Sequence, residues 1–179
     1  KVMVISPHPD DETLGCGATL LKHKKNKDKI YWLNVTKADI DSNYSDKFIK
    51  KREQEIKKVC KSYKFDGYYN SNFPTKLLDQ IPTSNLIDSL NVFINKIKPN
   101  KIFIPSNSDV HSDHKIVYSI CQNFAKTFRY PFVKKILSYE TISETNFNFT
   151  NKNSFNPNVF EDVNFFLNKK INIMKKYKS

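Results

Sequence analysis

At 179 residues, with 39% hydrophobic and 13% aromatic content, the chain is sized and composed for one folded unit, and a single domain over residues 1–179 is expected. Its formal charge of +12 raises the question of nucleic acid, but only Arg52 and Arg129 are arginines and the lysines are scattered, as in Lys22–Lys29, Lys47–Lys51 and Lys169–Lys178; planar phosphate and base recognition favours arginine, so a solvated basic surface is the better reading. No run approaches the ~18 apolar residues of a membrane span, and Cys16, Cys60 and Cys121 are odd in number, far apart and set in apolar patterns, which argues against a disulfide framework or a cysteine metal site and fits a reducing cytoplasm.

The chain opens at Lys1 rather than methionine, so at least one residue is expected to precede it. Val2–Ser6 (VMVIS), Ile30–Val35 (IYWLNV), Lys101–Pro105 (KIFIP) and Lys135–Glu140 (KILSYE) are short runs rich in β-branched or aromatic residues, the pattern of strands buried on both faces. After the first strand comes PHPDDE (Pro7–Glu12), then a predicted helix containing Gly15 and Gly17. Each glycine costs a helix ~1 kcal/mol relative to alanine, so close packing on the sheet or room for a substrate must compensate. A phosphate-cradling loop is not indicated, because neither GxGxxG nor GxxxxGK[ST] is present. In the helix around Arg52, the residues Ile49, Arg52, Ile56, Val59, Cys60 and Tyr63 share one stripe, which puts an arginine on an apolar face where it needs an anion, a route to solvent or a ligand. Leu86, Ile87, Leu90, Phe93, Ile94 and Ile97 mark a further helix, with Thr83 or Ser84 as its cap and Pro99 as its stop. Ile116, Val117, Ile120, Cys121 and Phe124 repeat that spacing after His111–His114 (HSDH). Thr145–Pro157 carries five asparagines and reads as a loop, and Asn158–Val163 (NVFEDV) is expected to add a strand before a last helix. Strands alternating with helices predict an α/β, Rossmann-like three-layer αβα fold with a mostly parallel sheet.

In such sheets ligands sit beyond the carboxyl ends of the strands. PHPDDE follows the first strand and SNSDVHSDH (Ser106–His114) follows KIFIP, so both polar blocks fall at one edge and hold three of the four histidines, His8, His111 and His114. A catalytic zinc takes about three protein ligands and leaves one position open. His8 and Asp11, three apart across a turn, can face one spot; His114 is three residues before the inward-facing Val117 and is the better ligand from the second loop. Asp10 is then free to act as general base, His111 to steady an oxyanion or protonate the leaving nitrogen, and Asp113 to fix the tautomer of a histidine. Hydrolysis is the implied class.

PHPDDETLGCGATL and HSDH resemble the two signatures of the PIG-L/LmbE-like deacetylase family, and REQE (Arg52–Glu55), NFPTKLLDQIP (Asn72–Pro82) and SYETISET (Ser138–Thr145) resemble its other blocks in order. The resemblance implies an LmbE-like fold and one zinc on His8, Asp11 and His114, with Asp10 as base and His111 as electrostatic stabiliser or acid. It also implies removal of an acetyl group from an N-acetylated amino sugar or glycoconjugate, and a substrate contact from Arg52. Ala18 stands where many members have a further glycine. Related chains run on beyond a YKSE-like point whereas this one ends at YKS, so a C-terminal segment is expected to be missing. The rivals are a metal-dependent phosphoesterase, which needs ligands for two metals, and a lysine-rich nucleic-acid-binding domain without catalysis. Asp39–Ser45 and Asn70–Ile81 are the loops expected to choose among acetamido substrates; no pattern in the chain bears on oligomeric state.

Overall fold

The computed structural model describes residues 1–38, 44–148 and 154–179. Among these, five strands form one parallel sheet: β1 (Val2–Ser6), β2 (Ile30–Lys37), β3 (Gly67–Pro74), β4 (Lys101–Pro105) and β5 (Lys135–Tyr139), in the order β3-β2-β1-β4-β5. Five helices accompany them: α1 (Asp11–Lys25), α2 (Asp46–Tyr63), α3 (Thr83–Ile97), α4 (Ser112–Cys121) and α5 (Leu167–Met174).

Alternate residues of the central strands point to opposite faces. Met3 and Ile5 of β1 pack with Leu90 and Ile94 of α3 and Val117 and Ile120 of α4. Val2 and Val4 pack with Leu20 of α1, Val59 and Tyr63 of α2 and Ile173 of α5. The result is the expected three-layer αβα arrangement.

Local chemistry sets the helix limits. Ser45 caps α2 by accepting from the Phe48 amide at 3.3 Å, and Lys64 closes it in the left-handed region at φ 57°. Neither Thr83 nor Ser84 caps α3: Thr83 is already helical, and the carbonyl of Pro82 takes the Asn85 and Leu86 amides at 2.9 and 3.4 Å. In α1 the two glycines answer to close packing. A Cβ on Gly15 would overlap the Tyr139 ring and one on Gly17 the Tyr63 hydroxyl.

One strand lies outside the expectation, and one expected strand does not form. GYYNSNFP, a half-buried edge strand with asparagines and no strict alternation, forms β3 although it lacks the apolar run of the central strands. Asn158–Val163 forms no strand: Val159 and Phe160 are exposed, and Glu161 is instead tied to Lys22 of α1 at 2.6 Å. Apolar content alone does not make a strand: this segment stays outside the sheet although β5, among the described residues, has an open edge.

From β1 the chain winds outward through β2 to β3, then crosses back to β4 on the other side of β1. The crevice for ligands therefore lies between the carboxyl ends of β1 and β4. Pro7–Asp10 and Ser106–His111 flank it.

Candidate functional site

The turn between β1 and α1 is held in a conformation that L residues rarely adopt. Asp10 has φ 128° and ψ −30°, at a cost of about 1–3 kcal/mol that the surrounding contacts must offset. Both ends of the peptide group before it are bonded: the Pro9 carbonyl accepts from Arg52 Nη1 at 2.9 Å, and the Asp10 amide donates to Glu12 Oε2 at 3.0 Å.

Three ligand atoms converge beside this turn. His114 Nε2 lies 3.2 Å from Asp11 Oδ2 and 3.3 Å from His8 Nδ1, and His8 Nδ1 lies 3.5 Å from Asp11 Oδ2. A tetrahedral zinc with bonds of about 2.0–2.1 Å needs ligand atoms roughly 3.3 Å apart, so this trio fits such a cation. The nitrogens facing away are also engaged. His8 Nε2 meets Asp113 Oδ2 at 2.9 Å, and His114 Nδ1 meets Asp109 Oδ2 at 2.5 Å. Such carboxylate partners fix the tautomer and aim the opposite nitrogen at the metal.

Asp113 thus orients a histidine, but the one it holds is His8 from the other loop rather than a neighbour in HSDH. Its carboxylate also accepts the Lys76 and Leu78 amides at 2.7 and 3.4 Å. Asp109 was absent from the expected site. It is fully buried, and Thr145 bonds its second oxygen. The only signal in sequence is an acid five residues before His114. A second trio, His8, His111 and Asp113, also lies within 4.8 Å, but it shares His8 with the first.

The buried carboxylates draw positive charge onto the two histidines. Burial opposes ionisation of Asp11, but His114 and His8 outweigh it and hold the carboxyl well below the usual range. Burial likewise opposes protonation of His8 and His114, yet their carboxylate partners raise them to about 9 and about 10. Asp10 behaves differently: burial and then Asp11 push it up to about 7, against the pull of Arg52, whose Nη1 is 3.7 Å away. Burial, then His8 and His114, lower His111 to about 4. His111 Nδ1 accepts the Asp113 amide at 3.1 Å, which leaves the ring proton of the neutral imidazole on Nε2.

These groups border a cavity of about 230 Å³ whose wall includes Tyr44, Phe48, Arg52, Lys76 and Glu144. Arg52 is therefore at the crevice, but Nη2 is already spent on the Ser179 carbonyl at 2.6 Å. Of the loops expected to choose a substrate, residues 39–43 lie outside the described residues; Tyr44 from the first loop and Thr75 and Lys76 from the second line the cavity. His23, the fourth histidine, pairs with Asp28 at 2.6 Å and takes no part.

Residues 3–125 match the family described as GlcNAc-PI de-N-acetylase, PIG-L. The chain belongs to the PIG-L family. It is 29% identical over 122 residues to the probable N-acetyl-alpha-D-glucosaminyl L-malate deacetylase 2 of Bacillus subtilis (strain 168), a match spanning 63% of this chain and 55% of that protein. It is 28% identical over 184 residues to the uncharacterized deacetylase YaiS of Escherichia coli (strain K12), spanning 99% of this chain and 90% of that protein. Among solved structures, the conserved protein TT1542 from Thermus thermophilus superposes with a TM-score of 0.79 at 23% identity, over 99% of this chain and 78% of that one. The fold is thus that of the PIG-L/LmbE-like deacetylases. No helix of this PIG-L chain, among the described residues, is long and apolar enough to cross a membrane.

Proposed function

We propose that the chain is a zinc-dependent hydrolase that removes the acetyl group of an N-acetylated amino sugar or glycoconjugate. The observation that carries this reading is the trio His8 Nδ1, Asp11 Oδ2 and His114 Nε2, with separations of 3.3, 3.2 and 3.5 Å, beside the carboxyl group of Asp10. His8, Asp11 and His114 would hold the metal. When bound, it supplies Lewis-acid polarisation of the acetamide carbonyl and makes water more acidic.

The chain's own residues supply the proton traffic. Asp10, at about 7, is matched to taking a proton from the attacking water and passing it to the departing amine nitrogen. His111, neutral and protonated at Nε2, donates to the acetamide oxygen as negative charge grows there. Asp109 and Asp113 keep His114 and His8 aimed. Tyr44 and Phe48, stacked with ring centroids 4.7 Å apart, offer a wall for a sugar ring, with Arg52 and Lys76 nearby for its polar groups. One water is consumed, one C–N bond breaks, and a free amine and acetate result.

Family membership and the name of the Bacillus relative support the acetamido-sugar substrate. A two-metal phosphoesterase is disfavoured, because the second trio shares His8 and its Asp113 is spent on two backbone amides. The three free cysteines fit a cytoplasmic setting.

The test is acetate release from N-acetyl-α-D-glucosaminyl L-malate and from simple N-acetylglucosamine glycosides, with the protein zinc-loaded and then stripped by a chelator. Release by the loaded protein alone supports the reading. Equal release after stripping removes the metal from it.

A further inference from the structure

The Pro9–Asp10 peptide group is gripped at both ends. Arg52 Nη1 donates to its carbonyl at 2.9 Å, and its N–H donates to Glu12 Oε2 at 3.0 Å. Both gripping side chains are themselves tied to the same short segment of chain, remote in sequence. Tyr177 donates its hydroxyl to Glu12 Oε1 at 2.8 Å, and the Ser179 carbonyl accepts from Arg52 Nη2 at 2.6 Å. The segment is anchored in turn to α2, where the Lys178 amide and Ser179 Oγ donate to Glu55 at 3.0 and 2.5 Å.

Nothing in the acetamide chemistry uses Glu12. It is fully buried, faces away from the cavity, and completes its bonding with Thr13 Oγ1 at 2.5 Å. Yet what it holds is the amide of the one residue in the turn with a strained backbone, Asp10 at φ 128°. The start of α1 holds the Cα–C side of Asp10, so fixing the plane of the peptide before it sets φ, and with φ the direction in which the Cα–Cβ bond leaves the backbone.

We propose that Glu12 and Arg52, yoked by Tyr177–Ser179, form a clamp on the Pro9–Asp10 peptide that holds Asp10 in its strained conformation and aims its carboxylate into the crevice. Glu12 and Tyr177 are positioning residues, since neither touches the reacting atoms. The consequence for turnover rests on the reading of Asp10 as base; the clamp itself does not.

The experiment uses zinc-loaded wild type, Glu12→Ala, Glu12→Gln, Tyr177→Phe and Asp10→Asn. Each is crystallised, and kcat and KM are measured on N-acetyl-α-D-glucosaminyl L-malate. Glu12→Ala is expected to let Asp10 relax to negative φ and to lower kcat by roughly 10- to 100-fold with KM within about twofold, the size of effect a misplaced group produces. Glu12→Gln keeps an oxygen that can accept the Asp10 amide, so it should restore most of kcat. In an Asp10→Asn background, Glu12→Ala should cost little more, because the group it positions is already gone. Tyr177→Phe loses only a hydroxyl and keeps the test open if Glu12→Ala fails to fold; it should fall between wild type and Glu12→Ala in kcat.

Asp10 retaining φ near 128° in both Glu12→Ala and Tyr177→Phe, or in Tyr177→Phe alone if the former does not fold, overturns the clamp. So does a lower melting temperature with wild-type kcat in Glu12→Ala when Asp10→Asn has lost its activity. Full activity in Asp10→Asn would instead sink the catalytic reading, and the clamp would then stand or fall on the Asp10 backbone alone.

Discussion

Asp113, carried on α4, holds the ring of His8, carried on the turn after β1: Oδ2 lies 2.9 Å from Nε2. The two residues are 105 positions apart, and the bond crosses the crevice where the sheet changes direction. It turns His8 Nδ1 toward Asp11 and His114. The Asp109–His114 pair does the same from the opposite side at 2.5 Å.

Removing either carboxylate should therefore loosen the metal without deleting a ligand. Asp109→Ala and Asp113→Ala are each expected to weaken zinc affinity ~10- to 100-fold, read by competition with a chromogenic chelator. Asp113→Ala also frees the Lys76 and Leu78 amides, so it should cost more thermal stability than loss of the His8 contact alone.

Asp10→Asn should separate binding from chemistry. The amide keeps the shape of the side chain but cannot take a proton, so zinc content should stay at the wild-type value while turnover falls ~10²-fold or more. His111→Ala should also keep its metal, because His111 Nδ1 is engaged with the Asp113 amide rather than with the trio. Metal lost from His111→Ala would exchange the roles of the two histidines.

The metal-free protein should lose stability as pH rises. Burial pushes Glu12 up to about 8 from an ordinary value of 4.5, so between these values the folded state binds a proton that the unfolded state has released. The stabilisation this gives is complete below about 4.5 and lost as pH climbs through about 8. Asp10 adds to it with the same sign, as do His8 and His114, whose share is complete below 6.5 and lost through about 9 and about 10. Melting temperature should fall from pH 5 to pH 9, and Glu12→Gln should flatten the part of the curve below pH 8. A flat wild-type curve would contradict the assignment.

Gly15→Ala pits two effects against each other. Alanine gains about 1 kcal/mol of helix propensity over glycine. Its Cβ would overlap the ring of Tyr139, which is buried and pinned by a 2.9 Å bond from its hydroxyl to the Ile5 carbonyl. Overpacking of this kind costs about 1–3 kcal/mol, and a helix already kinked at Cys16 gains little from propensity. Net destabilisation in urea unfolding is expected.

The sequence shows the central strands and the cavity edge clearly because β1, β2 and β4 are buried on both faces and need continuous apolar runs. β3 escapes that rule: as an edge strand it is half-buried and tolerates Asn70, Ser71 and Asn72. NVFEDV misleads for the opposite reason, having strand-like composition but leaving Val159 and Phe160 exposed outside the sheet. In the site, the convergence of His8, Asp11 and His114 is readable from spacing and strand ends, since the turns after β1 and β4 meet at one edge of the sheet. Asp109, the true partner of Asp113 and the Glu12–Tyr177 contact are not readable, because each depends on which side chains meet across elements. The stripe of Ile49, Arg52, Ile56 and Val59 shows Arg52 on an apolar helix face, but its two backbone carbonyl partners lie 43 and 127 residues away, beyond any local pattern.

Metal content of purified wild type beside Asp11→Ala and His114→Ala, by elemental analysis, tests the central claim most directly. Close to one zinc per chain in wild type and none in either variant is the predicted result. No metal in wild type even after zinc is added, or undiminished zinc in both variants, would contradict a centre built on His8, Asp11 and His114.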